Sequence, residues 1–128
     1  MLAEGVAEGL ALVLKEPLSF WGGIDPATGL ITDARHPQLG ASVQARVLVM
    51  PAVRGSSSSS SVLAEAVRAK TAPAAILLGE PDLILSVGAA VAEELYGRRI
   101  PIVVLGADDL SAIADGVWVR VSGAEVSV

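Results

Sequence analysis

The sequence contains no cysteine, and it is poor in charged and aromatic residues. Without cysteine the chain can form no disulfide and can supply no thiolate to a metal or an iron–sulfur cluster. Charged residues make up 18% of the chain and aromatic residues 3%, whereas 52% is apolar, which exceeds the usual apolar share of a soluble domain. We interpret the apolar excess as the sign of a large protein–protein interface, and we expect a reducing, cytoplasmic location.

Long apolar runs and basic clusters are also missing. No segment reaches the roughly 18 uninterrupted apolar residues of a membrane-spanning helix. The first residues include Glu4 and Glu8 and lack the basic start of a secretory signal. With a net charge of −5 and only the pair Arg98-Arg99 as a basic run, nucleic acid is not expected as a partner, because its phosphates would be repelled. We expect no membrane partner either, and the 128 residues predict a single domain over residues 1–128.

Apolar runs and amphipathic stretches alternate along the chain. Strands are predicted over residues 6–14, 46–55, 74–78 and 100–105, and helices over residues 62–70 and 86–96. In the second helix Val87, Val91 and Leu95 recur at the spacing of one helix face, and Gly97 stands at its C-terminal cap. Asp108-Asp109 is predicted to cap a short helical turn that ends by Ile113. This alternation indicates a parallel sheet with crossover helices.

The C-terminal sequence follows a different pattern. Apolar and polar residues alternate over residues 117–121, and Ser122-Gly123 has the composition of a turn. Residues 125–128 are then expected to form the returning strand. This pattern predicts a hairpin. The expected fold class is therefore α/β, a mixed sheet with crossover helices and a C-terminal hairpin.

Six consecutive serines, residues 56–61, separate the second predicted strand from the first predicted helix. Polyserine is often a flexible linker, but apolar sequence flanks this run closely on both sides, so we interpret it as a strand-to-helix turn. A helix N-terminus offers unpaired N–H groups to an anion, and Gly55 permits a close approach to the backbone. A Walker-type nucleotide loop is excluded because no lysine follows before Lys70. The residues themselves thus indicate a carboxylate or phosphate site, and a mobile linker remains the alternative.

The loops before the serine run contain aromatic and ionisable residues. Trp21 next to Gly22-Gly23 is either part of a hairpin turn that covers a core edge or part of a rim that closes over a ligand. Residues 31–40 are predicted to be an exposed connection. A metal site built from Asp25, Asp33 and His36 is conceivable, but a hydrogen-bonded turn histidine is favoured because these residues have no recognised ligand spacing.

Several motifs together resemble the small, swivel-domain subunit of the aconitase X family, over roughly residues 5–105. They are Ser19-Phe20-Trp21-Gly22-Gly23-Ile24-Asp25, Arg54-Gly55-Ser56-Ser57-Ser58, Ala72-Pro73-Ala74-Ala75-Ile76 and Gly88-Ala89-Ala90-Val91-Ala92. The glycine-containing motifs are specific in combination. Ser59 stands where the family more usually has glycine.

This resemblance implies a swivelling β/β/α domain that completes its active site with a separate large subunit. It implies that the large subunit ligates a [4Fe-4S] cluster that accepts the departing hydroxyl, and that this chain alone binds no metal. The implied activity is that of a hydro-lyase, active only with the large subunit, that dehydrates (R)-5-phosphomevalonate to trans-anhydromevalonate 5-phosphate in an archaeal-type mevalonate pathway. Dehydration of cis-3-hydroxyproline and a non-catalytic anion-binding module are the alternatives.

The resemblance also implies roles for the serine motif. Ser56 corresponds to the catalytic base, and Ser57, Ser58, Arg54 and Gly55 correspond to substrate-binding positions. A helix dipole contributes at most about 2 kcal/mol, which is roughly one and a half pKa units and too little to ionise a serine. Further positive charge is therefore expected, either from Arg54 or from the large subunit.

Overall fold

The computed structural model describes residues 6–18, 23–33, 36–52, 59–123 and 125–128. Six strands form one mixed sheet in the order β4-β3-β2-β1-β5-β6. The strands are β1 (Val6–Val13), β2 (Val47–Met50), β3 (Ala75–Leu78), β4 (Ile102–Val104), β5 (Trp118–Ser122) and β6 (Glu125–Ser127). The helices are α1 (Ser59–Ala69), α2 (Leu83–Tyr96) and α3 (Ala107–Ser111). The α/β fold class with a mixed sheet and crossover helices is thus confirmed.

Strands β1 to β4 are parallel, and the C-terminal hairpin is antiparallel. Ala11 pairs with Val47, and β3 pairs in parallel with both β2 and β4. Strand β5 runs antiparallel to β1, with Val6 opposite Ser122, and β6 returns beside β5. The predicted hairpin is confirmed, and its pairing with β1 makes the sheet mixed.

Both faces of the central strands are buried. In β2, Leu48 and Met50 point into one core cluster with helices α1 and α2, whereas Val47 and Val49 point into a second cluster on the opposite face. All four residues are at most 1% exposed. A strand covered on both faces is apolar at every position, which explains the continuous apolar runs that predicted these strands.

Helix α1 begins within the serine run. It was predicted to begin at Val62, but it begins at Ser59, and Ser60 and Ser61 are helical. This prediction was wrong because serine is acceptable within the first turn of a helix, where backbone N–H groups lack partners in any case. Leu63 and Val67 lie on the buried face of α1.

Helix α2 begins three residues earlier than predicted, and its apolar stripe does not face the sheet. The Asp82 carboxylate accepts a hydrogen bond from the Leu85 N–H at 2.9 Å and caps the helix. Gly97 ends it in a left-handed conformation, as predicted. The buried residues are Leu85, Gly88, Ala89 and Ala92, whereas Val87, Val91 and Leu95 are exposed.

Two smaller predictions also need correction. Asp108 and Asp109 do not cap α3: Gly106 occupies the cap without a side-chain bond, and both aspartates lie in the first helical turn. The connection over residues 31–40 is not exposed throughout, because Ile31 is 1% and His36 is 6% exposed. Backbone bridges from Ile24 to Ile31 and from Leu30 to Ser42 fold this part of the chain onto the core.

Candidate active-site edge

A cavity of about 380 Å³ lies where β1, β2 and β3 end. Parallel strands bring their carboxyl ends to one edge of the sheet, and ligands of α/β proteins bind at this edge. The lining is largely apolar: Val13, Leu14, Val49, Met50, Pro51, Gly79, Ala107, Leu110 and Ser111. We call this space the carboxyl-edge cavity.

Gly79 determines how closely β2 and β3 approach each other at this cavity. Its N–H donates to the Pro51 carbonyl at 3.0 Å, and a Cβ on residue 79 would lie 2.7 Å from that oxygen. A side chain there would displace Pro51, which directly precedes the segment with the predicted site residues. Gly79 therefore fixes the direction in which the chain leaves β2.

The predicted catalytic residue Ser56 and the predicted substrate-binding residues Arg54, Gly55, Ser57 and Ser58 lie outside the described residues, as does Trp21. The two neighbours of the segment are described: Ala52 follows β2, and Ser59 opens α1. Residues 53–58, which we call the serine segment, lie in the sequence between β2 and the 11-residue helix α1.

The first turns of α1 are held by a close contact with α2. A Cβ on Gly88 would lie 2.8 Å from the Ser60 carbonyl oxygen and 2.9 Å from its Cα. Only glycine permits this separation of the two helices. No acidic side chain lies in the first turn of α1, so no carboxylate of that turn neutralises the positive end of the helix dipole.

Gln38 and His36 hold the chain where it leaves β1. The Gln38 side chain accepts from the Lys15 N–H at 3.0 Å and donates to the Val13 carbonyl at 2.5 Å. The His36 ring accepts from the Gln38 N–H at 3.1 Å through Nδ1, and Nε2 donates to the Glu16 carbonyl at 3.0 Å. The predicted hydrogen-bonded turn histidine is confirmed, and the network supports the Val13 side of the cavity.

The conceivable metal site is not formed. Both His36 nitrogens are engaged, and the Asp25 carboxylate accepts from the Ala27 N–H at 2.9 Å within its own turn. Within the ranges that the structure describes, no three His, Asp or Glu side chains are grouped to hold a metal ion.

Glu65, in the second turn of α1, is a carboxylate that stays ionised. Glu65 is paired with Arg68, and the hydrogen bond from this guanidinium lowers the pKa of Glu65 below its ordinary value. At neutral pH Glu65 is therefore negatively charged and paired with the guanidinium of Arg68. This makes it a poor proton acceptor for catalysis.

A second cavity of about 380 Å³ lies at the opposite, amino edge of the parallel strands. Its lining includes Glu8, Lys70, Arg98 and Arg99. Lys70 has a left-handed φ of 64° because it follows the last residue of α1, where the Thr71 N–H bonds back to the Ala66 carbonyl. This amino-edge cavity is charged and lies at the C-terminal end of α1.

Sequence reasoning placed the candidate site residues between β2 and α1 and gave no role to Gly79, Leu110 or Gln38. A signal for Gly79 was available, since it directly follows a predicted strand, at the edge where ligands bind. Leu110 lines the cavity and Gln38 bonds to the Val13 carbonyl beside it, and the local sequence holds no signal for either contact.

Fold and cavity together define an α/β domain with a site at the carboxyl ends of its parallel strands. The chain matches the family model "Aconitase X swivel domain" over residues 1–128, and it belongs to this family. It is similar to the aconitase X of Thermococcus kodakaraensis, whose crystal structure in the holo-form superposes with a TM-score of 0.82 at 36% identity, covering 94% of this chain and 86% of that one.

Two groups of relatives differ in length. The chain is 47% identical over 123 residues to cis-3-hydroxy-L-proline dehydratase of Pseudomonas aeruginosa, covering 94% of this chain but only 21% of that protein. It is 37% identical over 125 residues to the phosphomevalonate dehydratase small subunit of Methanosarcina mazei, covering 97% of this chain and 83% of that protein. The chain thus spans about a fifth of one relative and most of the other. None of the helices in the described residues is long and apolar enough to cross a membrane.

Proposed function

We propose that this chain is the swivel subunit of a hydro-lyase that removes water from a small hydroxy acid and is active only with a large subunit. The observation that carries the proposal is the carboxyl-edge cavity of an aconitase X swivel domain, with the serine segment connecting its rim to the N-terminus of α1. The relatives named as dehydratases support the reaction class.

The proposed chemistry needs a base to remove a proton next to a carboxylate, together with assistance to the departing hydroxyl. We assign the base to Ser56 and binding of the substrate carboxylate to Ser57, Ser58, Arg54 and Gly55. No lysine, arginine or histidine side chain lines the described part of the carboxyl-edge cavity. The positive charge that would favour ionised Ser56 must therefore come from Arg54 or from the large subunit.

The residues of this chain do not fit a [4Fe-4S] cluster. The sequence has no cysteine, and the described residues hold no grouped His, Asp or Glu ligands. We therefore place the cluster on the large subunit, where it would supply the Lewis acid. The apolar wall of the carboxyl-edge cavity would then exclude water around the hydrocarbon part of the substrate.

Two substrates are candidates. (R)-5-phosphomevalonate is supported by the relatives named small subunits, most of whose length this chain covers. cis-3-Hydroxy-L-proline is supported by the higher identity of 47% and by a cavity wall whose described residues include no cation for a phosphate group. A cytoplasmic location and the lack of nucleic acid and membrane partners stay predictions.

The test is to co-express the chain with the aconitase X large subunit of the same genome, purify the complex without oxygen and assay both substrates. We expect the isolated chain to fold without activity and the complex to dehydrate one of the two. Dehydration by the isolated chain, or no activity of an iron-replete complex with either substrate, would contradict the proposal.

A further inference from the structure

Helix α2 has a well-packed inner face and an apolar outer face. The inner face consists mainly of small residues, so the helix packs closely on α1 and on the sheet. The outer face presents Leu83, Val87, Val91 and Leu95, which recur every four residues. Leu83 is 76% exposed, Val87 55% and Leu95 64%. We call these four residues the α2 stripe.

A concavity of about 260 Å³ adjoins the α2 stripe. It lies between the first two turns of α1 and the second half of α2, and Val91 belongs to both features. Ser60, Ser61 and Ala64 line its α1 side. Apolar side chains beside a concavity of this size form the kind of surface in which interface anchors are buried.

The α2 stripe begins at the same edge of the sheet as the candidate site. Leu83 follows the carboxyl end of β3 at Leu78, and α1 begins beyond the carboxyl end of β2. The contact of Gly88 with Ser60 brings the middle of α2 against the first turn of α1. A molecule that covers the first turn of α1 therefore reaches the stripe as well.

The charge of this surface defines the chemistry of its partner. Glu94 lies on the same helix face as Leu83 and Val87, is exposed, and has no ion-pair partner among the described residues. Glu80, which is also exposed, lies just before α2, and the chain carries a net charge of −5. A complementary surface has an apolar centre and basic residues around it.

The size of the stripe argues against a second copy of this chain as the partner. From Leu83 to Leu95 the helix spans roughly 18 Å. A specific interface buries about 800 Å² on each partner, more than one short helical stripe provides. A partner that covers the stripe, the concavity and the first turn of α1 buries more surface than the stripe alone provides.

We propose that the α2 stripe and the adjoining concavity are the docking surface for the large subunit of the hydro-lyase. This inference rests on the proposed function and adds the location of the contact. In the relative from Pseudomonas aeruginosa, the part that matches this chain is 21% of one longer chain, so a swivel domain is joined to a much larger remainder there. The docking surface places Val91 and Leu95 in contact with apolar side chains and Glu94 opposite a lysine or arginine.

The experiment measures the affinity of the purified chain for the large subunit by titration calorimetry. The variants are Leu83→Glu and Val87→Glu, and the matched control is Val128→Glu, since Val128 is 74% exposed and follows β6 at the far edge of the sheet. Each α2 variant should weaken binding at least about tenfold, because a charge would enter an apolar contact, and the control should stay within about twofold. Circular dichroism checks that all variants are folded.

The outcomes separate this inference from the proposed function. If the unaltered chain does not bind the large subunit, both are wrong. If it binds, and the Leu83 and Val87 variants bind equally well, the docking surface is wrong and the proposed function stands. If the α2 variants abolish self-association of the isolated chain without weakening the two-subunit complex, the stripe binds a second copy and the inference is overturned.

Discussion

The two ends of the parallel strands carry cavities of equal volume but opposite chemistry. Each cavity holds about 380 Å³, yet the carboxyl-edge cavity is lined by apolar side chains and the amino-edge cavity by Lys70, Arg98 and Arg99. Charge alone would favour the amino edge for an anionic substrate. We favour the carboxyl edge because ligands of α/β proteins bind there and because α1 begins beyond the carboxyl end of β2. The comparison teaches that side-chain charge alone is not enough to choose between the two cavities.

The largest effect is expected for Ser56→Ala. If Ser56 is the base, turnover of the assembled complex should fall at least about a hundredfold, because a positioned base contributes that much or more. The stability of the domain should change by only about 1 kcal/mol, since a single hydroxyl is lost. Steady-state kinetics at matched iron content measures the effect.

Ser61→Ala is the control for this prediction, because Ser61 is an exposed residue within α1. Its turnover should stay within a few fold of the unaltered complex. Equal and modest losses of turnover in the Ser56 and Ser61 variants would show that Ser56 is not the base and that the base lies on the large subunit.

Gly79→Ala should have the next largest effect, because its Cβ would lie 2.7 Å from the Pro51 carbonyl at the carboxyl edge. We expect a loss of about 1–3 kcal/mol in the free energy of unfolding and a roughly tenfold lower turnover, since strain moves the start of the serine segment. Urea unfolding and kinetics measure both. Gly106→Ala is the control, since nothing lies within 4 Å of its Cβ position; equal losses in the two variants would show that backbone contact at residue 79 is unimportant.

Gln38→Ala tests the support of the carboxyl edge. Loss of its bonds to Lys15 and Val13 should lower the free energy of unfolding by about 1–2 kcal/mol. Thermal and urea unfolding measure the change. The control is Gln44→Ala, which removes the same kind of side chain from the lining of the amino-edge cavity. It should change the free energy of unfolding by less than about 0.5 kcal/mol. If Gln44→Ala lowered the free energy of unfolding more than Gln38→Ala, Gln38 would not support the carboxyl edge.

The smallest effect is expected for the double variant Lys70→Gln and Arg98→Gln. Both residues line the amino-edge cavity, so kcat/KM of the complex should stay within about twofold. If kcat/KM fell tenfold while the two subunits still bound each other with normal affinity, the amino-edge cavity would take part in substrate recognition. The assignment of the substrate site to the carboxyl edge would then be wrong.

Local sequence patterns predicted the order of strands and helices because each central strand is apolar on both faces and Gly97 ends α2. They could not predict that β5 pairs with β1, since this contact depends on residues distant in sequence. The inner face of α2 was missed because Gly88, Ala89 and Ala92 are small, while larger apolar residues occupy its outer face. The helical spacing of apolar residues shows that a helix has an apolar face, but it does not show whether this face packs on the domain's own sheet or on a partner.

The candidate site was predicted as a segment between β2 and α1, and the position of this segment in the chain order agrees with the fold. The cavity beside it could not be predicted, because its walls come from four separate stretches of the chain. His36 shows the same limit: its buried position depends on the Glu16 carbonyl, 20 residues earlier.

The pairing of β1 with β5 has a consequence for how the molecule folds. Val6 pairs with Ser122, so one edge of β1 has no partner until β5 has been synthesised. Pairings this distant in sequence slow folding, and an open strand edge can pair with another chain in the meantime. The hairpin of β5 and β6 therefore protects β1 as it forms, and the sheet of the nascent chain is completed only when this hairpin is in place.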